Sequence, residues 1–199
     1  QHSKEFSKEA DAVIKNNKDQ SNQFMPLFII QFKLSEYSNS LDKEKCSSEV
    51  ARLYERSPKH RELFFKILGR VMPTVKSEEV MKCIVSKMLL QPSQMTENSF
   101  SKTNSDRSSF FEKKFFEAYV PKLDEEEVDA VIEKLAEANK CYLGNPQQKC
   151  MSNLLSVLSR FLLILNMWPN RKELILSKLP KNANWPNRPK ELVLLIEKF

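Results

Sequence analysis

Glycine is nearly absent from this chain. Only Gly69 and Gly144 occur among 199 residues, where average usage of about 7% would give roughly fourteen. Glycine supplies the positive φ angles that tight hairpins, bulges and phosphate-binding loops need. None of the motifs G-x-S-x-G, G-x-x-x-x-G-K-[ST] and G-x-G-x-x-G occurs in the sequence. The shortage therefore excludes glycine-loop nucleotide sites and most β architectures, and it predicts an all-α fold.

Histidine and paired cysteine are scarce as well. The four cysteines, none of them in a C-x-x-C pair, are Cys46, Cys83, Cys141 and Cys150. A structural zinc site needs four ligands at close spacings, and a Cys–His–acid set could draw only on His2 or His60, of which His60 is expected at an exposed helix start. We therefore expect no metal, no cofactor, no small-molecule substrate and no enzymatic activity.

The small number of cysteines also indicates the cellular compartment of the protein. Isolated cysteines without a secretory leader favour a reducing environment, the nucleus or the cytoplasm. The most apolar stretch, residues 151–168, contains Arg160 and several serines and asparagines. A membrane span needs about 20 mostly apolar residues with few charges, so this stretch is predicted to be a buried helix, with no membrane as partner. We expect the chain to be part of a longer intracellular protein.

Proline and capping residues stand where glycine would normally mark the joints. They divide the sequence into about ten predicted helices, with Ser77 as one N-cap and Asp124 and Glu127 as a capping box. Residues 1–23 are predicted to form an N-terminal helix and a polar link. Residues 24–199 are predicted to form a single α-helical repeat domain, with a mobile serine-rich loop at 91–109.

The predicted helices recur in pairs. The pairs begin near Phe24, Pro58, Ser109 and Gln147, so the steps are 34, 51 and 38 residues, and the long step contains the loop at 91–109. Two helices at such a period are typical of stacked repeats. The predicted antiparallel pairs resemble a short HEAT- or armadillo-like α-solenoid in shape, although no consensus motif of those families occurs. A single irregular α-helical bundle is the alternative.

One short sequence is repeated clearly. Trp168-Pro-Asn-Arg-Lys-Glu-Leu-Ile-Leu recurs 17 residues later as Trp185-Pro-Asn-Arg-Pro-Lys-Glu-Leu-Val-Leu. One interpretation is a repeated helix start, in which proline ends one helix, Asn170 caps the next, and the tryptophan packs over its first turns. The other is a partner-binding surface, since tryptophan and arginine are common at interaction hot spots. That surface would consist of Trp168, Arg171, Trp185 and Arg188.

Basic residues form a second candidate site. The net charge is +6 and the isoelectric point is about 9.1, which permits an anionic partner without requiring one. A predicted basic patch surrounds one turn between helices: Arg52, Arg56, Lys59, Arg61, Lys66 and Arg70. Glu55 and Glu62 lie within it, so an ordinary solvated face is the alternative. Such a patch could bind nucleic acid through phosphate contacts.

These patterns lead to two functional hypotheses. The first is a non-enzymatic protein–protein interaction scaffold that holds a partner peptide or helix in a groove. The second is a nucleic-acid-binding helical domain that uses the basic patch. Gly69 adds a structural expectation, because a glycine inside a helix of such a chain favours a close helix–helix approach. Gly69→Leu would then be disruptive.

Overall fold

The computed structural model describes residues 42–56, 61–93, 110–144 and 151–179. Within these ranges the regular structure is helical and no strand occurs, so the all-α prediction is confirmed. The predicted N-terminal unit at 1–23, most of the loop at 91–109 and the second tryptophan repeat lie outside the described residues. The helices are α1 (Lys43–Glu55), α2 (Arg61–Val71), α3 (Glu78–Leu89), α4 (Phe110–Tyr119), α5 (Glu125–Ala138), α6 (Lys140–Gly144), α7 (Met151–Met167) and α8 (Lys172–Lys178).

The predicted caps form where the sequence places them. Ser77 Oγ accepts the Val80 N–H at 3.3 Å and so begins α3. At α5 the capping box is complete, because Asp124 Oδ1 accepts the Glu127 N–H at 2.9 Å and Glu127 Oε2 accepts the Asp124 N–H at 2.9 Å. Each bond satisfies an amide that the first turn of a helix leaves without a partner.

Proline also ends the helices as predicted. Pro73, Pro121 and Pro169 lie in the 3₁₀ turns Met72–Thr74, Val120–Lys122 and Pro169–Arg171, which follow α2, α4 and α7. Proline has no N–H for the helical hydrogen-bond pattern and clashes with the preceding turn. The short helix α6 is an element that the sequence patterns did not predict.

Two local predictions are wrong. Asn170 makes no side-chain cap, because the 3₁₀ turn puts Arg171 at the N-cap position and the Arg171 N–H donates to the Trp168 carbonyl at 3.0 Å. Gly69 does not mark a close approach of helices, since no heavy atom lies within 4 Å of the place where its Cβ would be. The glycine side of α2 faces open space.

Many contacts between helices join helices that are not consecutive in the sequence. The chain places α1, α3, α5 and α8 in what we call the first row, where each helix contacts the next. In α1 and α3, Lys43 Nζ contacts Glu79 at 3.4 Å and the Cys83 thiol donates to Ser47 Oγ at 3.2 Å, both across 36 residues. Because the two contacts keep the same offset, α1 and α3 run parallel.

The far end of the first row repeats this arrangement. Arg171 contacts Glu125 at 2.8 Å and Asp129 at 2.7 Å, and Lys178 pairs with Glu133. Residue numbers increase together along α5 and α8, so these helices are parallel too. Between them, Lys82 of α3 lies 3.2 Å from Asp124 at the start of α5.

The second row consists of α2, α4 and α7. Glu62 of α2 accepts the Phe111 N–H of α4 at 2.7 Å, and the rings of Phe65 and Phe115 are 5.5 Å apart, so these helices are also parallel. Tyr54 of α1 joins the rows, because its ring lies 5.5 Å from Phe64 and 5.7 Å from Phe65.

Helix α7 is the most deeply buried element. Its buried apolar side chains are Leu154, Val157, Leu158, Phe161, Leu162, Leu163, Ile164 and Leu165. The stretch is therefore a helix over Met151–Met167, as predicted, and its middle is covered by protein. Across the ranges that the structure describes, no helix is both long and apolar enough to cross a membrane.

Candidate interaction surfaces

The first tryptophan repeat is bound to its own chain. The indole N–H of Trp168 donates to the Val120 carbonyl at 3.3 Å. The Arg171 guanidinium forks between two carboxylates of α5, with Nε 2.7 Å from Asp129 and Nη2 2.8 Å from Glu125. The structure therefore brings Trp168 and Arg171 together, as predicted, but they contact the start of α5. Trp185 and Arg188 lie outside the described residues.

The tetrapeptide that begins at Trp168 forms a compact unit. The Arg171 guanidinium lies 5.8 Å from the Trp168 ring centre, and only 13% of the Arg171 side chain is exposed. Hydrogen bonds that the guanidinium donates to Glu125 and Asp129 raise the pKa of Arg171 above its ordinary value. The unit presents an indole donor and a guanidinium fork to an acidic helix start.

The predicted basic patch does not form a single cationic surface in the described residues. Arg52 Nε donates to Glu49 at 2.7 Å within α1. The Arg61 guanidinium lies 4.6 Å from the Tyr54 ring centre, and the Lys66 ammonium lies 5.3 Å from the Phe111 ring centre. These three cations contact groups of their own chain: Arg52 a carboxylate, and Arg61 and Lys66 aromatic faces, which attract cations.

The remaining members of the basic patch are placed differently. Arg56 and Arg70 are exposed, at the ends of α1 and α2. Lys59 lies outside the described residues. Two exposed arginines at separate helix ends are a much smaller cationic surface than the six residues that the sequence predicts.

A buried ion pair was missed by the sequence patterns. Arg160 of α7 lies 2.8 Å from Glu112 of α4, and the two side chains are only 1% and 2% exposed. Arg160 also donates to the Gln91 carbonyl at 3.2 Å and stacks over Phe116 at 4.5 Å. In the sequence, Arg160 stands out only as a charge within an apolar stretch. Glu112 gave no signal, because it occurs in the charged run Phe110–Tyr119.

Further polar groups extend this buried cluster to the residues that flank the segment 94–109. Ser93 donates its N–H to Ser156 Oγ at 2.6 Å and its hydroxyl to Glu112 at 3.3 Å. Burial raises the pKa of Glu62 above its ordinary value, although its bond to the Phe111 N–H opposes this. Arg61 Nε, Glu62 Oε2 and Arg160 Nη1 are buried without a hydrogen-bond partner in the described part of the chain. The cluster connects the helix ends on either side of the segment 94–109.

An open groove crosses the first row. We call it the three-helix groove, because its walls come from α1, α3 and α5, and its volume is about 730 Å³. Its apolar and small side chains are Cys83, Ser86, Leu90, Ala130 and Val131. Its charged side chains are four lysines and four acids: Lys43, Lys82, Lys87, Lys134, Glu44, Glu79, Asp124 and Glu127. The groove thus combines apolar surface with charges of both signs.

Ion pairs connect the walls of the three-helix groove. Lys82 lies 3.2 Å from Asp124 and 3.5 Å from Glu127, which tie α3 to α5. The hydrogen bond to Asp124 raises the pKa of Lys82, and the Glu127 N–H, followed by Lys82, lowers the pKa of Asp124. Lys87 and Glu44 pair more loosely at 3.8 Å between α3 and α1.

Cys83 contributes a thiol to the wall of the three-helix groove. It is half-buried, and burial raises the pKa of its thiol above the ordinary value. The thiolate is the reactive form of cysteine, so Cys83 is a weak nucleophile at neutral pH. The groove is suited to binding more than to covalent chemistry.

Metal ligands and known relatives give no further guidance. Residues 42–56, 61–93, 110–144 and 151–179 contain no group of three histidine, cysteine or acidic side chains that could hold a metal ion. No protein-family model matches the sequence, and no curated protein or solved structure is significantly similar to it. The function of this chain must therefore be inferred from the arrangement and chemistry of its own side chains.

Proposed function

We propose that this chain is a non-enzymatic protein–protein interaction scaffold. In this proposal the three-helix groove binds a peptide or helix from another protein. The observation that supports it is the groove itself, which is about 730 Å³ in volume and carries apolar side chains between lysines and carboxylates. Sites that bind peptides combine apolar anchor points with polar groups that fix orientation.

The spacing of the row contacts supports a repeat architecture for the scaffold. Hydrogen bonds between row neighbours join residues 36 apart in α1 and α3, 49 apart in α2 and α4, and 42 apart in α5 and α8. Each value is close to one two-helix repeat, as expected when repeats contact only their neighbours. We therefore favour a short solenoid, similar in shape to HEAT or armadillo repeats, over a single irregular bundle.

The groove also indicates what the partner segment contains. Leu90 and Val131 offer apolar contact, and exposed pairs such as Lys43–Glu79 can exchange partners, because exposed ion pairs contribute little to stability. A segment with a few apolar side chains and charges of both signs would match this surface. An amphipathic helix has that composition.

Filling the groove tests the proposal. Ala130 is exposed within the groove, so Ala130→Trp should occupy it without disturbing the core. The matched control is Ala118→Trp, at an exposed alanine of α4 in the second row. Both variants should keep the wild-type melting temperature.

Affinity capture from nuclear and cytosolic extracts gives the readout. We expect proteins that the wild type retains to be lost with Ala130→Trp and kept with Ala118→Trp. Equal retention by all three proteins would contradict binding in the groove.

Nucleic-acid binding through the basic patch stays the second hypothesis. The exposed arginines Arg56 and Arg70 favour it, whereas Arg52, Arg61 and Lys66 already contact groups of the chain. A salt titration of RNA and DNA binding, with wild type and Arg56→Glu/Arg70→Glu, would distinguish the two. Binding that is absent at low salt, or that does not weaken as salt rises, would exclude this hypothesis.

A further inference from the structure

A small open cavity lies between the C-terminal ends of α3 and α5 and the first half of α7. We call it the α7 cavity, and its volume is about 290 Å³. We propose that the α7 cavity binds a small organic carboxylate and that Arg160 holds the carboxylate group. Leu90 lies in the walls of both the α7 cavity and the three-helix groove. The binding of such a ligand does not depend on the scaffold function proposed above.

Arg160 has hydrogen-bond donors that the described residues leave unused. Its Nε donates to the Gln91 carbonyl at 3.2 Å, and its Nη2 donates to the same carbonyl at 3.2 Å and lies 2.8 Å from Glu112. Its Nη1 also carries N–H groups, and in the described part of the chain this atom is buried without a partner. A buried donor without an acceptor is costly, and most such groups in folded proteins have a partner. A ligand oxygen would provide one.

The α7 cavity is the open space that Arg160 lines. Leu135, Val157 and Arg160 are buried in its walls, whereas Ala138 and Asn153 are exposed. The mouth of the cavity is therefore beside Ala138 and Asn153, and Arg160 belongs to its inner wall. A ligand that enters between α5 and α7 would meet the guanidinium there.

The charge of the walls favours an anion. Among the described residues that line the α7 cavity, Arg160 is the one ionised side chain, so no carboxylate in the walls repels an anion. The existing pair with Glu112 does not prevent a second contact, because one guanidinium of this chain already serves two carboxylates: Arg171 contacts both Glu125 and Asp129. Hydrogen bonds between ionised groups are stronger than those to neutral acceptors. A carboxylate therefore suits the cavity better than a neutral carbonyl.

Neutral groups in the walls suit the rest of a small ligand. Ser156 Oγ accepts the Ser93 N–H at 2.6 Å, so its own O–H can donate to a carboxylate oxygen. The Asn139 amide is held in the wall by its bond to the Leu135 carbonyl at 2.8 Å. Leu135 and Val157 offer apolar surface to a short hydrocarbon chain. Sites for small molecules are about 300–1,000 Å³ in volume, so this cavity suits a ligand at the small end of that range.

Propionate is a direct probe of this site, and propionamide is the matched control, because it has the same size and shape without the charge. The isotope-labelled full chain is titrated with each compound at constant ionic strength, and its backbone amide signals are followed by NMR. We expect propionate to cause saturable shifts at residues 135–139 and 153–157, which line the cavity or lie beside its walls. Propionamide should bind at least about tenfold more weakly, because the guanidinium prefers an ionised acceptor.

Variants of the protein locate the binding. Ala138→Trp places a large side chain at the mouth of the cavity and should weaken propionate binding at least about tenfold, because the ligand space is filled. The matched control, Ala118→Trp at an exposed alanine of α4, should leave the affinity unchanged. Glu112→Leu/Arg160→Met removes the guanidinium together with its partner and should abolish binding. Because Ala138→Trp keeps Arg160, the test stays valid even if the double variant fails to fold.

Two results would overturn the inference. One is that the wild-type chain does not bind propionate, or binds it no more tightly than propionamide. The other is that either Ala138→Trp or Glu112→Leu/Arg160→Met binds propionate as tightly as the wild type does, which would place the carboxylate elsewhere on the chain.

Discussion

The two rows of helices stack at similar sequence intervals and share one apolar core, but their ion pairs differ in burial. In the first row, α1 contacts α3 through exposed groups such as Lys43 and Glu79, whose side chains are 52% and 77% exposed. In the second row, α4 contacts α7 through the buried pair of Glu112 and Arg160. Exposed ion pairs contribute about 0–1 kcal/mol each, whereas a buried charge that loses its partner costs several kcal/mol.

The comparison indicates how the chain divides its tasks. The second row contributes the buried aromatic cluster and the buried ion pair. The first row carries its ion pairs on a charged, open face. The predictions below test this division, beginning with the largest expected effect.

Phe116→Ala should cause the largest loss. Phe116 is fully buried, with its ring 5.5 Å from Phe65 and 5.2 Å from Phe115. Removing a buried ring costs about 3–5 kcal/mol of unfolding free energy, measurable by urea denaturation. The matched control is Phe110→Ala in the same helix, because Phe110 is 47% exposed and should change stability by less than about 0.5 kcal/mol. Similar losses in both variants would contradict an aromatic core in the second row.

Glu112→Ala should be nearly as damaging, for a different reason. It leaves the buried guanidinium of Arg160 without its carboxylate, which costs about 3 kcal/mol or more. Replacing both members, as Glu112→Leu/Arg160→Met, should recover most of the loss, because no buried charge remains. Urea denaturation of the single and double variants measures this, and a double variant no more stable than Glu112→Ala would show that charge burial is not the cause.

Tyr54, which joins the rows, should make stability depend on pH at the alkaline end. Burial raises the pKa of Tyr54 from 10.0 to about 12, and its hydroxyl donates to the Pro92 carbonyl at 2.5 Å. The folded chain therefore holds this proton more tightly than the unfolded chain does. The stabilisation is complete below pH 10 and is lost as the pH rises through about 12, by roughly 3 kcal/mol.

Tyr54→Phe provides the control for that pH dependence. Phenylalanine has no proton to lose, so the variant should be less stable than wild type at pH 8 by about 1 kcal/mol, the contribution of one hydrogen bond. Thermal melts of both proteins from pH 8 to 11.5 should show this difference shrinking and then reversing. Parallel curves would show that Tyr54 does not titrate in this range.

Gly69→Ala should stabilise the second row by about 1 kcal/mol. Glycine inside a helix is less favourable than alanine by that amount, and the space beside Gly69 is open. The melting temperature should rise accordingly. Gly69→Leu should also be tolerated, which is the reverse of what the sequence suggests. A strong loss in either variant would mean that α2 approaches another segment closely.

Lys43→Ala should have the smallest effect. The contact between Lys43 and Glu79 is exposed and 3.4 Å long, so its loss should change the unfolding free energy by less than about 0.5 kcal/mol. Urea denaturation at low and high salt provides the measurement. A loss above 1 kcal/mol would contradict the contrast between the two rows.

The helices were predictable because their signals are local. The Asp124 capping box, the Ser77 cap and the prolines act within a few residues, and they formed as expected. The partners of Arg171 and Arg160 were not predictable, because each contact joins residues more than 40 apart. The same limit applies to Lys66 of the basic patch, because its ammonium lies over the ring of Phe111, 45 residues later in the chain.

Gly69 shows the opposite limit. Because glycine is rare in this chain, a glycine inside a helix suggested a packing constraint. The overall glycine count, however, says nothing about the space around one residue. The value of the tryptophan repeat also changed. Its first copy connects α5 and α8 through contacts within the chain, and partner binding by the repeat stays a prediction.

The parallel direction of neighbouring helices has an electrostatic consequence. Every α-helix carries a dipole, positive at its N-terminus and negative at its C-terminus. In α1 and α3, and in α5 and α8, like ends lie side by side and repel each other. The first turns contain Glu44, Glu79, Glu125 and Glu173, and the last turns of α1, α3 and α8 contain Arg52, Lys87 and Lys178. These charges offset the repulsion at both edges of the first row, so the acidic and basic helix ends allow its dipoles to align.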